Sequence, residues 1–195
     1  MGNDKKKVLF YQKSGQTYNQ DKKINSYQNN GNKYTDNQNN SKSKVAEIME
    51  EILEKGYKNK ETNILRKELV SIESEKIAIE LTKSKEKLSN SQLRAFFNEI
   101  NKLKLKYIKN DRNDEKENQE ELGNLAIELL ILKSKLEYRR GKSGSNKLPE
   151  NFYIFMKENI DYIVKNDKKI YFKDFKTFFE TVLGYMYGLG GINNR

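Results

Sequence analysis

The sequence predicts an all-α protein, a compact bundle of about five to six helices preceded by an Asn- and Lys-rich tail. Beyond residue 44 apolar residues recur at three- and four-residue spacing, the pattern of amphipathic helices. The 195 residues include a single proline, so little interrupts those helices. Residues 1–44 differ: they hold nine Asn, five Gln, nine Lys and three acids, with apolar content limited almost to Val8, Leu9, Phe10 and Ile24. Such a segment buries too little surface to offset its ordering entropy, and disorder is expected. The organisation predicted is therefore a disordered basic tail over 1–44 and a single helical domain over 45–195.

Each helix is marked by its own residues. Val45, Ile48, Met49, Ile52 and Leu53 form a first stripe that should stop at Gly56. Leu65, Leu69, Ile72, Ile77 and Leu81 suggest a second, less regular helix over about 62–86. In LSNSQLRAFFNEINKL, residues 88–103, Ser89 and Gln92 match a capping box, with Leu88 and Leu93 at the positions of a hydrophobic staple. The stripe then runs Leu93, Phe96, Phe97, Ile100, Leu103 and Tyr107. Leu122, Leu125, Leu129, Leu132 and Leu136 define a fourth helix. Pro149 suits a first helical position, followed by Phe152, Phe155, Met156, Ile160 and Ile163. Phe172, Phe175, Phe179, Val182 and Met186 mark a sixth helix, whose wide aromatic face suits a core and also allows a partner surface.

Composition narrows the chemistry. Cysteine and histidine are both absent, which removes disulfides, thiolate nucleophiles, Cys/His zinc sites and the usual near-neutral acid/base group. No catalytic residue, metal ligand or cofactor is expected. The longest apolar run, LLIL at 129–132, is far below the roughly 18 residues of a membrane span. A cytoplasmic protein without membrane contact is the expectation.

The net charge of +10 is unevenly spread. The tail carries +6, and the other 151 residues hold 29 bases against 25 acids. Within the domain, residues 133–147, KSKLEYRRGKSGSNK, hold six bases and one acid, whereas 110–121, NDRNDEKENQEE, hold six acids and two bases. The acidic run offers Asp111, Asp114, Glu115, Glu117, Glu120 and Glu121 to a magnesium ion, but nothing in it fixes a coordination geometry, and a solvated linker is expected.

Two places suit an anion. Arg94 lies in the first turn of its helix, where the N-terminus already carries partial positive charge and ordinarily prefers acids. Arginine and backbone amides together can face a phosphate there. At the end of the fourth helix, Lys135, Tyr138 and Lys142 should share one face, flanked by Lys133, Arg139 and Arg140. Bases with a ring in reach suit RNA, although cations at a helix C-terminus also simply complement its dipole. RRGKS is not a phosphate loop, because Leu136 stands where the first glycine would be and a helix precedes it.

These segments carry a family resemblance. LSNSQLRAFF at 88–97, LEYRRGK at 136–142 and FFETVLGYMYGLGG at 178–191 resemble, in order and spacing, the small (Csm-type, inner filament) subunit of type III-A CRISPR–Cas effector complexes. The resemblance runs from about Leu88 to Gly191 and extends back to about Ile64. It implies a non-catalytic, RNA-binding subunit in antiviral defence. Several copies would stack beside the backbone and large subunits and hold the guide RNA–target RNA duplex. Position by position, Gln92 and Arg94 correspond to the family's Gln and Arg, and Tyr138 to its Tyr. Lys142 stands where Arg is usual, so Arg139 or Arg140 is expected to supply the bidentate grip on phosphate. The RNA-binding residues implied are Gln92, Arg94, Lys133, Lys135, Tyr138, Arg139, Arg140 and Lys142. The alternative is a free-standing helical nucleic-acid-binding or adaptor protein that dimerises through its last helix.

Overall fold

The computed structural model describes residues 42–108, 119–144 and 147–192. Six α-helices form among them: α1 Lys44–Lys55, α2 Ser74–Thr82, α3 Asn90–Tyr107, α4 Gln119–Arg140, α5 Glu150–Asn166 and α6 Lys169–Gly188. All belong to one unit, Asn40–Arg195. The expected tail lies, up to residue 41, outside the described residues, as does the acidic run from Asp111 to Glu117.

Local chemistry sets most boundaries. Gly56 ends α1 with φ +77°, a conformation that costs glycine little. The capping box at Ser89 forms in full: the Ser89 hydroxyl accepts from the Gln92 amide at 3.2 Å, and the Ser89 amide donates to Gln92 Oε1 at 3.0 Å. Pro149 stands one position earlier than expected, as the residue before α5, and its carbonyl accepts the Tyr153 amide at 3.0 Å. The α6 terminus closes with a Schellman arrangement in which the Gly191 amide donates to Met186 O and the Gly190 amide to Tyr187 O, Gly190 having φ +64°.

The second helix is shorter than expected. Residues 57–66 instead fold back on themselves, with an antiparallel bridge between Lys58 and Leu65 and a left-handed Asn63. The Asn59 side chain accepts the amides of Glu61 and Thr62, which competes with helix there. Helical structure resumes as a π-helical turn, Leu69–Glu73, leading into α2. Arg66 fixes this geometry: its guanidinium donates to Gly56 O at 2.7 Å and to both Glu73 oxygens at 3.1 and 2.7 Å. Ile72, expected on the apolar stripe, is exposed.

The core is aromatic. Phe155, Phe172, Phe175, Phe178 and Phe179 are fully buried, and Phe155 packs edge-on against Phe178 with centroids 5.5 Å apart. Each such ring contributes roughly 1.5–3 kcal/mol of burial, so α6 is held by its own chain. The aromatic face through which the alternative reading would have the protein dimerise is therefore occupied.

Pairings along the helices give their directions. Lys135 reaches Glu99 and Tyr107 reaches Glu128, so α3 and α4 are antiparallel. Arg140 reaches Glu150 and Lys133 reaches Asp161, so α4 and α5 are antiparallel too. Asn90 meets Tyr187, and Ser43 meets Asn151. One end of the bundle consequently gathers the starts of α1, α3 and α5 with the ends of α2, α4 and α6.

Candidate nucleic-acid interface

The α3 N-terminus is the centre of that end. Its first turn contains no acid, so the partial positive charge of its amides is not neutralised by a side chain of its own helix. Gln92 does two jobs in the fold: Oε1 closes the cap, and Nε2 donates to Lys147 O at 3.2 Å. That second bond ties the segment after α4 to the start of α3.

The end of α4 supplies cations beside it. Arg139 stacks over the Phe96 ring at 4.8 Å, and together with Lys142, Ser91, Gln92 and Ala95 it lines an open depression of about 280 Å³. Lys142 lies 4.6 Å over the Tyr138 ring, which remains 68% exposed. Arg94 stands on the other flank of α3, beside an apolar groove of about 410 Å³ that Leu93, Phe97, Leu183, Gly184 and Tyr187 line between α3 and α6. The helix start thus lies between two cationic positions rather than beside one.

The other expected residues divide by partner. Arg140 is engaged: its Nε donates to Glu150 at 2.8 Å, Glu137 lies at 3.6 Å, and the guanidinium covers the Tyr153 ring at 4.5 Å. The Glu150 hydrogen bond raises its already high pKa. Lys133 pairs with Asp161 on the α5 side, and Lys135 pairs with Glu99 at 3.3 Å. The structure therefore groups Arg139, Lys142 and Tyr138 around the α3 start with Gln92 beneath them. It sets Lys133 and Arg140 toward α5.

Sequence reasoning overlooked Lys85, Lys87 and Lys147. The first two are exposed in the segment before the α3 cap, and Lys147 pairs with Glu86 at 3.1 Å, drawing that segment toward the end of α4. The KSKEK run at 83–87 was the available signal, and its placement against a cap 5 residues on is what gives it meaning. Lys85, Lys87, Arg94, Arg139 and Lys142 form no ion pair among the described residues.

A family model described as Csm2 type III-A matches residues 65–188. The chain belongs to the Csm2 type III-A family. This family provides the small subunit of type III-A CRISPR complexes. No curated protein and no solved structure matches the chain. The Csm2 match begins at the Leu65 bridge and ends with α6, so it covers the capped α3 start and the basic end of α4. It omits α1, whose Val45, Met49 and Ile52 are nevertheless part of the same core. No helix of this Csm2 chain, among the described residues, is long and apolar enough to cross a membrane.

Proposed function

We propose that this Csm2-family chain is a non-catalytic RNA-binding subunit whose copies stack in a cytoplasmic type III-A ribonucleoprotein and hold the guide RNA–target RNA duplex for antiviral defence. The observation that carries the reading is the group of cations without acidic partners around the uncompensated α3 N-terminus, with the Tyr138 ring exposed among them. Amides, guanidinium and ammonium groups grip phosphates without reading sequence, as holding a duplex of any guide requires. Arg139 is the residue placed to supply the bidentate grip that Lys142 cannot.

Affinity per copy is expected to be low. A copy neutralising about three to four phosphates loses on the order of 20- to 50-fold in affinity over a fourfold rise in salt, by the single-strand slope. Copies held side by side recover that loss through effective concentration. Exposed Ile127, Leu130 and Ile131 on α4, and the apolar groove between α3 and α6, are surfaces that neighbouring copies or backbone and large subunits would cover. The absence of cysteine and histidine supports a holding role over a catalytic one.

The test is retention of target RNA by the assembled complex at moderate salt, comparing the unaltered chain with one carrying Arg94→Ala, Arg139→Ala and Lys142→Ala. Loss of retention with far-UV helicity intact is expected. Unchanged retention would overturn the reading.

A further inference from the structure

Residues 1–41 carry seven lysines against three acids, and no role has been given to them. They also carry Tyr11, Tyr18, Tyr27 and Tyr34, at intervals of seven, nine and seven residues, with Asn, Gln or Lys beside each ring. Regular rings among cations and amides are the composition of a segment that follows a polynucleotide, each ring offering a stacking face to any base.

The structure adds where this segment starts. Ser43, immediately before α1, donates its hydroxyl to Asn151 Oδ1 at 3.0 Å, and the Asn151 amide group donates to Glu80 O at 3.2 Å. The neighbour of Asn151, Glu150, holds Arg140, and Arg139 and Lys142 follow at once. The chain thus leaves the bundle at the end that carries the unpaired cations, not at the opposite one. An extended residue spans at most roughly 3.3–3.6 Å, so about ten residues suffice to reach anything within some 30 Å of Ser43.

We infer that residues 1–41 are a second RNA-binding element, which takes a single-stranded stretch of the same RNA that the α3–α4 end contacts. Its lysines meet phosphates and its four tyrosines stack on unpaired bases. The inference rests on the RNA-binding reading above, and it extends that reading from the duplex to single-stranded RNA. An anionic membrane surface is the lesser fit, because lipid-binding segments concentrate about four to eight bases in one cluster, whereas the longest run here is Lys5–Lys7.

The test uses the full chain and a fluorescent oligouridylate, which has no duplex of its own, with anisotropy read across a salt series. In one variant the seven lysines from Lys5 to Lys33 become Gln. If they neutralise about four phosphates, the slope of log affinity against log salt flattens by roughly 2.8, and a fourfold rise in salt costs the variant about 50-fold less than the unaltered chain. In a second variant the four tyrosines become Ala, which is expected to weaken binding about tenfold or more with the slope unchanged. A third carries Arg139→Ala and Lys142→Ala. Unaltered affinity and slope in the lysine variant overturn the inference. So does lysine-dependent binding to phosphatidylserine vesicles in a chain whose oligouridylate binding ignores those lysines. Loss in the lysine and tyrosine variants but not in the third supports the second element while refuting the α3–α4 interface.

Discussion

The side chain of Thr82, at the end of α2, occupies the space into which any side chain on Gly191 would project. A Cβ on Gly191 would fall 1.9 Å from Thr82 Cγ2 and 2.7 Å from Thr82 Cβ. Glycine at 191 is what allows the chain after α6 to close against α2. Gly191→Ala is expected to destabilise the domain by about 1–3 kcal/mol, the cost of overpacking a closed contact. Urea unfolding measures it, and Thr82→Ser, which removes Cγ2, should restore part of the loss. Gly190→Ala should also cost about 1–2 kcal/mol, through its positive φ rather than through space.

The α3 cap links stability to the interface. Ser89→Ala removes the acceptor of the Gln92 amide and is expected to cost about 1 kcal/mol. Gln92→Ala loses both the other half of the box and the bond to Lys147 O, so it should also loosen the segment that carries Lys142. Hydrogen exchange of residues 141–148 would register that loosening. Protection equal to that of the unaltered chain would show that the Lys147 bond is dispensable.

Two adjacent arginines should separate cleanly. Arg139 has a ring partner and no acid, whereas Arg140 has Glu150, Glu137 and Tyr153. Arg139→Ala is expected to weaken RNA retention in the assembled complex more than Arg140→Ala does. Arg140→Ala should instead cost about 0.5–1 kcal/mol of stability, the scale of an exposed ion pair. Equal effects of both on RNA would remove Arg139's distinction.

Buried Asp174 gives a pH dependence whose sign follows from burial. Its Oδ2 accepts no hydrogen bond among the described residues, and Lys58 Nζ stands 3.8 Å away. Burial raises its carboxyl above the ordinary value of 3.8, with Lys58 and Lys173 opposing. The folded state therefore holds the Asp174 proton more tightly than the unfolded chain does. That contribution is complete below pH 3.8 and is lost as pH rises through the raised folded value. Asp174→Asn should stabilise the domain at pH 7 relative to the unaltered chain, by about 1–3 kcal/mol for a buried charged oxygen left unsatisfied. The advantage should shrink as pH falls toward 4, which unfolding curves at several pH values would follow.

Much of this was legible locally. The stripes that became α1, α3, α4, α5 and α6 are periodic over whole turns, and their ends carry Gly56, the Ser89–Gln92 box and Pro149. These signals act within a few residues of themselves, so no distant partner is needed to read them. The second helix failed for the same reason in reverse. Its first half, residues 62–68, has helical spacing, but Arg66 reaches Gly56 and Glu73, and the Lys58–Leu65 bridge outweighs that spacing.

The sequence by itself determined the all-α class, the position of the capped α3 start, the aromatic composition of α6 and the segments of family resemblance. Tertiary structure alone decided which cations are free for a ligand. Lys133, Lys135, Arg139, Arg140 and Lys142 are equivalent in a charge count, and they differ only through acids and rings on α3 and α5. Asp161 and Glu99 lie 28 and 36 residues from the lysines they hold. Charge is a property of the residue, but its availability depends on Coulomb attraction and packing across helices that meet only in the fold.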